Sequence, residues 1–182
     1  AGNRTGEAWM IYSLGVLHLF QNRLDDAERL IAEALAIFND IGNVHAAGLA
    51  MRGLAGIDRA HGRFAAMRAR YTQALAILRA VGDRGAEAHI LRNLATFEVD
   101  RDNVDAARRL LDESLDITRE TGCRRDEAQV LFRFGELYLH TNRIDDARRV
   151  LSQALDLVRD LGDPIGEAHV LYGLGLVRQR EG

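Results

Sequence analysis

Lysine is absent from this 182-residue sequence, and proline and cysteine each occur once. All 24 basic residues are therefore arginines, a bias typical of a GC-rich, bacterial genome. A single proline leaves no proline-rich linker, and a single cysteine, Cys123, cannot form an internal disulfide or a cysteine metal site. These absences exclude disulfide-rich scaffolds and predict a cytoplasmic protein.

A strong excess of one charge is also missing, and so is a long apolar run. The 27 acidic and 24 basic residues leave a net charge of −3, so no bulk positive field attracts nucleic acid or an anionic membrane. The most apolar stretch, residues 9–20, is shorter than the ~18–20 residues that cross a bilayer. We therefore predict neither a direct nucleic-acid partner nor a membrane partner.

Familiar catalytic motifs do not occur in the sequence. It contains no phosphate-binding GxxxxGK[ST], no HExxH and no GxSxG. Arg124 and Arg125 leave open a Cys123 thiol of lowered pKa with a redox role, although an incidental thiol is the favoured interpretation. We predict that the chain is not an enzyme and has no catalytic residue, cofactor or metal site.

What the sequence does contain is a repeat, because a glycine recurs at positions 2, 42, 82, 122 and 162 without any insertion or deletion. Within each 40-residue block, apolar residues follow helical spacing in two runs separated by a short polar turn. Each block is therefore predicted to be two antiparallel helices. First helices are expected near 5–20, 45–60, 85–100, 125–140 and 165–180, and second helices near 24–40, 64–80, 104–120 and 144–160.

The blocks predict one all-α repeat domain over 1–182. Its repeats are 2–41, 42–81, 82–121 and 122–161, followed by a terminal helix at 162–182. Because that helix lacks the second helix of a fifth block, we expect the chain to be part of a longer protein.

Small and large residues alternate at fixed places in the blocks. Leu14-Gly15 precedes Ala27, Ile31 and Ala34, and the fourth block repeats this with Phe134-Gly135, Ala147, Leu151 and Ala154. Small residues let two helices approach to ~8–10 Å, and a leucine row at 35, 75, 115 and 155 is expected to pack against them. This pattern resembles the tetratricopeptide repeat family over the whole chain. The period of 40, against the family's usual 34, is similar to repeats in large bacterial ATP-binding transcription regulators and spindle-orientation adaptors.

The resemblance implies a right-handed superhelical solenoid whose first helices line a concave groove. Groove positions counted as in the family carry arginines and an asparagine able to grip a carboxylate, flanked by aromatic residues suited to interface hot spots. Gly53 and Gly56 leave room for a bound segment. The partner-binding residues predicted in this way are Trp9, Tyr12, Arg52, Gly56, Arg59, His89, Arg92, Asn93, Phe132, Arg133 and Tyr172.

The predicted function is a protein-interaction module or scaffold that binds a protein or peptide with acidic or carboxylate groups, within a bacterial transcription or signalling regulator. Two alternatives stay open: a small-ligand sensor that controls an attached effector domain, and a structural array that self-associates through the terminal helix.

Other roles for the groove residues also stay open. The arginines could be solvated and paired with Glu136, Asp58 or Asp100, and the aromatics could pack against neighbouring segments of a longer chain. The two glycines could mark a divergent repeat.

Overall fold

Nine α-helices and no strand make up residues 3–181, the part of the chain that the computed structural model describes. The first helices are α1 (Arg4–Phe20), α3 (Val44–Ala60), α5 (Arg84–Asp100), α7 (Arg124–His140) and α9 (Pro164–Glu181). The second helices are α2 (Leu24–Asp40), α4 (Phe64–Ala80), α6 (Val104–Glu120) and α8 (Ile144–Asp160). The prediction of an all-α solenoid of helix pairs is confirmed, with helix ends within one residue of those expected.

The helices end in left-handed turns that recur every 20 residues. Between blocks the turn residues are Gly42, Gly82, Gly122 and Gly162, with φ between 61° and 75°. Inside the blocks they are Asn22, Gly62, Asp102 and Asn142, with φ between 56° and 72°. Glycine, asparagine and aspartate are the residues that tolerate this conformation. The 40-residue block therefore consists of two 20-residue units, a finer period than the glycine spacing alone indicates; Gly2 lies outside the described residues.

The first helices begin with a side chain that caps the helix N-terminus. Asn3, Asn43, Asp83 and Asp163 each accept a hydrogen bond from the backbone amide three residues later, at 2.9 to 3.1 Å. Such a cap stabilises a helix by about 1 kcal/mol. Cys123 occupies the equivalent position before α7 and forms no such cap.

Small residues on the first helices pack directly against the second helices. A Cβ atom on Gly15 would lie 2.6 Å from Ile31, and one on Gly135 would lie 2.5 Å from Leu151. The close approach predicted from the small residues is therefore confirmed. The large residue that faces Gly15 is Ile31 and the one that faces Gly135 is Leu151, and both are fully buried. Leu35 and Leu155 of the expected leucine row are only partly buried.

Residues 58, 98 and 138 occupy the same buried position of three successive blocks, and each has a different polar partner. In the second block Asp58, 1% exposed, pairs with Arg63 at 2.8 Å and with Arg70 at 2.9 Å. In the third block the equivalent is Glu98, which accepts a hydrogen bond of 2.8 Å from Asn103. In the fourth block it is Tyr138, with the guanidinium of Arg143 4.5 Å from the ring centroid. Asp58 thus pairs with α4 and the turn before it, not with a groove arginine.

The contacts divide the chain into two compact units, residues 1–86 and 87–182. The core of the first unit includes Ile31, Phe38 and Leu54. The core of the second unit is larger and includes Leu111, Phe134 and Leu151. Within residues 3–181, no helix combines the length and apolar character needed to span a membrane.

Candidate functional site

The second unit contains a cavity of about 380 Å³, bordered by α5, α7, α8, α9 and the turn that leads into α9. We call it the arginine pocket, because Arg92, Arg125 and Arg133 line it. Its lining also includes five polar residues and six of apolar or small type, namely His89, Asn93, Gln129, Asp163, His169, Ala128, Phe132, Val158, Ile165, Gly166 and Val170. The pocket therefore brings together five residues of the predicted groove: His89, Arg92, Asn93, Phe132 and Arg133.

Two of the pocket arginines are held in place by carboxylates. Arg92, 8% exposed, lies 3.5 Å from Asp126, and Arg133 lies 2.6 Å from Glu136. The guanidinium of Arg133 also lies 5.5 Å from the ring centroid of Phe132, within the range of a cation–π contact. The alternative in which Arg133 pairs with Glu136 is thus what the structure shows. Contacts within the chain therefore hold both guanidinium groups in position without a bound partner.

The apolar part of the pocket is organised around Phe132. Its ring lies 6.4 Å from that of His169, with the two planes tilted by 36°. On the neighbouring helix, a Cβ on Gly173 would lie only 3.5 Å from Phe132 and 3.2 Å from Leu151. Gly173 therefore lets α9 lie close to Leu151 of α8 beside the pocket, whereas the 3.5 Å to Phe132 is ordinary van der Waals contact.

The turn before α9 completes the pocket rim. Asp163 caps Gly166 at 2.9 Å, and Ile165 projects from the first helical turn with 70% of its surface exposed. Arg125 lies in the corresponding first turn of α7 and is exposed. Counting groove positions from the alanine of each first helix missed these residues, because that alanine lies after the first turn. The capping Asp-Pro of the fifth block is a signal that could have found Asp163 and Ile165.

A second, smaller recess of about 220 Å³ lies beside the pocket in the same unit. We call it the His140 recess; Thr96, Asp100, Glu136 and His140 supply its polar lining, and Arg133 borders both cavities. Arg133 is therefore shared by the two cavities, and its partner Glu136 lines the recess.

The aromatic residues predicted in α1 pack against their own unit. The ring centroids of Trp9 and Tyr12 lie 5.6 Å apart, and that of Trp9 lies 5.1 Å from Phe38 of α2 in an edge contact. Both side chains remain partly exposed. Their burial against Phe38 shows that they contribute to the core of the first unit, which leaves only their outer edges for a partner.

The predicted residues of α3 lie around an open backbone. A Cβ atom added to Gly56 would meet no neighbouring side chain or helix within 4 Å, Arg52 is partly exposed and Arg59 is exposed. On α9, Tyr172 is 68% exposed and does not line the arginine pocket. The structure therefore leaves Arg52, Gly56, Arg59 and Tyr172 on their own helix surfaces, outside the pocket.

The charge of Arg52 also acts on Asp83, the carboxylate that caps the start of α5. Partial burial acts to raise the pKa of the Asp83 carboxyl, but the Ala86 amide, the His45 ring and the charge of Arg52 lower it below its ordinary value of 3.8. The His45 ring nitrogen lies 2.8 Å from Asp83. The ionised form of Asp83 thus stabilises the start of α5.

This cap makes stability depend on pH. Because the folded pKa of Asp83 is lowered, its contribution is present above the unfolded value near 3.8 and is lost as pH falls through the folded value. In urea unfolding between pH 5 and 2.5, Asp83→Asn should lose less stability than the wild type, by up to about 1 kcal/mol. Asp116→Asn, an exposed carboxylate on α6, is the control and should follow the wild type. Equal pH dependence of all three proteins would refute the assignment.

The pKa of the Cys123 thiol is raised, not lowered as its two arginine neighbours left open. Its thiol donates a hydrogen bond of 3.0 Å to Asp126, and this bond raises the pKa of the Cys123 thiol. The lowered pKa that was left open beside the favoured incidental thiol is therefore wrong, because the hydrogen bond to Asp126 is the largest influence on the thiol. Asp126 also faces Arg92 and so connects the turn before α7 to the pocket.

No group of three or more histidine, cysteine, aspartate or glutamate side chains is arranged to hold a metal within the described range, 3–181.

Comparison with known proteins places these features in a family. Residues 8–45 and residues 86–160 each match a model described as tetratricopeptide repeat. No curated protein matches the sequence.

Solved structures share the fold at low sequence identity. Aspartyl phosphate phosphatase F from Bacillus subtilis superposes with a TM-score of 0.89 at 12% identity, over 97% of this chain and 46% of its own. BtubC (BKLC) from P. vanneervenii gives 0.75 at 18% identity, over 90% and 67% of the two chains. Pseudomonas aeruginosa pilF gives 0.69 at 20% identity, over 98% and 75%. The chain thus spans less than half the length of the phosphatase. The two family matches together cover more than half of the sequence, and this chain belongs to the tetratricopeptide repeat family.

Proposed function

We propose that this chain is a protein-interaction scaffold that binds an acidic side chain or terminal carboxylate of a partner segment in the arginine pocket. The observation that carries the proposal is the charge of the lining: three arginines and one carboxylate, in a chain whose net charge is −3. Arginine is the residue best suited to grip a carboxylate through paired hydrogen bonds. Asp126 and Glu136 pair with Arg92 and Arg133, so the exposed Arg125 at the rim supplies the charge that attracts an anionic group.

The lining residues have different roles in this proposal. Arg92 and Arg133 are positioned by Asp126 and Glu136 and supply fixed positive charge. Arg125 is exposed and Asn93 is partly buried, and both donate hydrogen bonds to the incoming group. Phe132 and Val170 offer apolar surface to the neighbouring side chain of the partner. Trp9, Tyr12, Arg52, Gly56, Arg59 and Tyr172 enter the proposal as further partner contacts on their own helices.

The setting we propose is a cytoplasmic bacterial transcription or signalling regulator. The support is the gapless 40-residue period, which is similar to the repeats of the large regulators and is built from paired 20-residue units.

A small-ligand sensor is the second candidate function, and the size of the cavity favours it. A volume of about 380 Å³ falls within the ~300–1,000 Å³ typical of small-molecule sites. A ligand that binds the folded state raises its melting temperature. A melting screen with carboxylate metabolites therefore tests this candidate, and a shift that Arg125→Glu removes would favour it over peptide binding.

The scaffold proposal is tested by selecting peptides with free C-termini on the wild-type chain and measuring their affinities by calorimetry. Selected peptides should be enriched in acidic residues or require the free carboxylate. Arg125→Glu should weaken them by about tenfold or more, because a repulsive charge replaces a donor at the rim. Arg109→Glu makes the same charge change on the exposed surface of α6 and serves as the matched control. Equal losses in the two variants, or none in Arg125→Glu, would refute the pocket as the binding site.

A further inference from the structure

The His140 recess follows the arginine pocket along α5 and α7. On α5, residues 89–93 line the pocket and residues 95–100 line the recess. On α7, residues 125–133 line the pocket and residues 133–140 line the recess. The midpoints of the two linings differ by about six to seven helical positions, which is ~10 Å at 1.5 Å per residue. A segment that lies along these helices therefore passes both cavities in turn.

The recess has an excess of negative charge, whereas the pocket is lined by three arginines and one carboxylate. The carboxylates of the recess are Asp100 and Glu136, and its guanidinium belongs to Arg133. Arg133 already pairs with Glu136 at 2.6 Å, and the ring of His140 lies 2.9 Å from Asp102. Asp100 forms no ion pair with any residue of the range 3–181. The recess therefore attracts a cation.

The C-terminal end of α5 adds to this negative charge. Asp100 is the last residue of α5, where the carbonyl groups without a helical partner form the negative pole of the helix. The last turn of α5 contains no basic residue, whereas the last turns of α4, α6, α7, α8 and α9 do. A carboxylate is unfavourable at this pole and a cation is favourable there. A bound cation thus offsets repulsion that α5 itself does not relieve.

The acceptors of the recess match an ammonium group on an alkyl chain. The Thr96 hydroxyl donates to a backbone carbonyl of its own helix at 3.2 Å, so its lone pairs stay available as acceptors. Together with the carboxylates of Asp100 and Glu136, it provides three acceptors for the three N–H donors of an ammonium group. Three apolar residues complete the lining, namely Ala95, Val99 and Leu111. Their side chains suit the methylene chain of a lysine.

We infer that the His140 recess binds a lysine side chain of the partner segment, about three residues from the acidic group that the arginine pocket holds. The spacing follows from the ~10 Å between the cavities and the ~3.3 Å that each residue of an extended chain spans. None of the 182 residues of this sequence is a lysine, so a second copy of these residues does not supply the ammonium group. The inference rests on the proposed function and adds a basic residue to the partner.

The experiment selects peptides with free C-termini from a random library on the wild-type chain and on Asp100→Asn. Peptides selected by the wild type should be enriched in lysine about two to four residues from an acidic side chain or the terminal carboxylate. Asp100→Asn should select the same acidic groups without the lysine, because it removes a charge and keeps the shape of the side chain. Asp100 is exposed, so the variant should keep the circular dichroism of the wild type. Asp156→Asn, at an exposed position of α8, is the matched control and should retain the lysine preference.

Calorimetry with one selected peptide and its acetyl-lysine form measures the contribution of the ammonium group. Acetylation removes the charge of the lysine. It should weaken binding to the wild type by about tenfold or more, as expected for the loss of hydrogen bonds to charged groups. Binding to Asp100→Asn should change much less. The charge reversal Asp100→Lys should instead select glutamate at the same peptide position.

The outcomes separate this inference from the proposed function. Acidic peptides without lysine enrichment would overturn the inference and leave the proposed function standing. Lysine enrichment that persists in Asp100→Asn, or equal effects of acetylation on both proteins, would also overturn it. Selection of lysine without an acidic group would support the recess as a binding site and refute the role of the arginine pocket. A wild type that selects no peptide would refute both.

Discussion

Replacing both arginines that pair with Asp58 is expected to lower the free energy of unfolding by about 3–5 kcal/mol, the usual cost of leaving a buried charge unpaired. Asp58 is 1% exposed, and Arg63 and Arg70 contact its two carboxylate oxygens at 2.8 and 2.9 Å. The double variant Arg63→Ala with Arg70→Leu removes both partners while adding no bulk. Urea unfolding monitored by circular dichroism measures the loss.

The repeat supplies its own control for this prediction. The fourth block places Tyr138, Arg143 and Val150 where the second has Asp58, Arg63 and Arg70, and its arginine stacks on the tyrosine. Combining Asp58→Tyr with Arg70→Val reproduces that set and should recover most of the stability lost in Arg70→Val alone. If Arg70→Val is neutral and the combination adds nothing, the ion pair does not stabilise the second block.

Gly135→Leu should lower the free energy of unfolding by about 3 kcal/mol, since overpacking a filled core typically costs that order of energy. A Cβ at this position would lie 2.5 to 3.1 Å from three atoms of Leu151. Leu151 is fully buried and also lies against Gly173, so it cannot move away. Urea unfolding of Gly135→Leu measures the loss, and adding Leu151→Ala, which opens space, should restore part of the stability.

Gly56→Ala is the matched control for the effect of glycine itself. Gly56 lies in the interior of α3 with nothing within 4 Å of its Cβ position. Alanine there should raise the free energy of unfolding by about 0.5–1 kcal/mol, because alanine is the better helix former. Destabilisation by Gly56→Ala, or tolerance of Gly135→Leu, would contradict the packing described for these helices.

The helices were predictable from the sequence because every local signal agrees. Apolar spacing and turn glycines repeat from block to block, and a capping side chain precedes α1, α3, α5 and α9, so the blocks support one another's prediction. The inner period of 20 was hidden, since Asn22, Asp102 and Asn142 do in the inner turns what glycine does between blocks. These residues share a left-handed backbone conformation but not a residue type, so a search for recurring glycine does not find them.

The candidate site was predictable only in part. Counting along the first helices identified His89, Arg92, Asn93, Phe132 and Arg133, which line one pocket, because these positions recur with the helix period. Arg125, Asp163 and Ile165 were missed because they belong to first turns and a rim loop, which the count excluded. The pairing of Arg92 with Asp126 was also missed, because it joins residues 34 positions apart.

By itself, the sequence determined the all-α class, the helix boundaries and the repeat, because these depend on local spacing and backbone conformation within 20 residues. Only the tertiary structure decided which arginines are already paired, which small residues are closed by Ile31 or Leu151, and that two units with separate cores are present. Those properties depend on side chains from different helices that meet at distances of a few ångströms. A repeat pattern gives the positions of these side chains along the helices, but it does not say which of them are in contact.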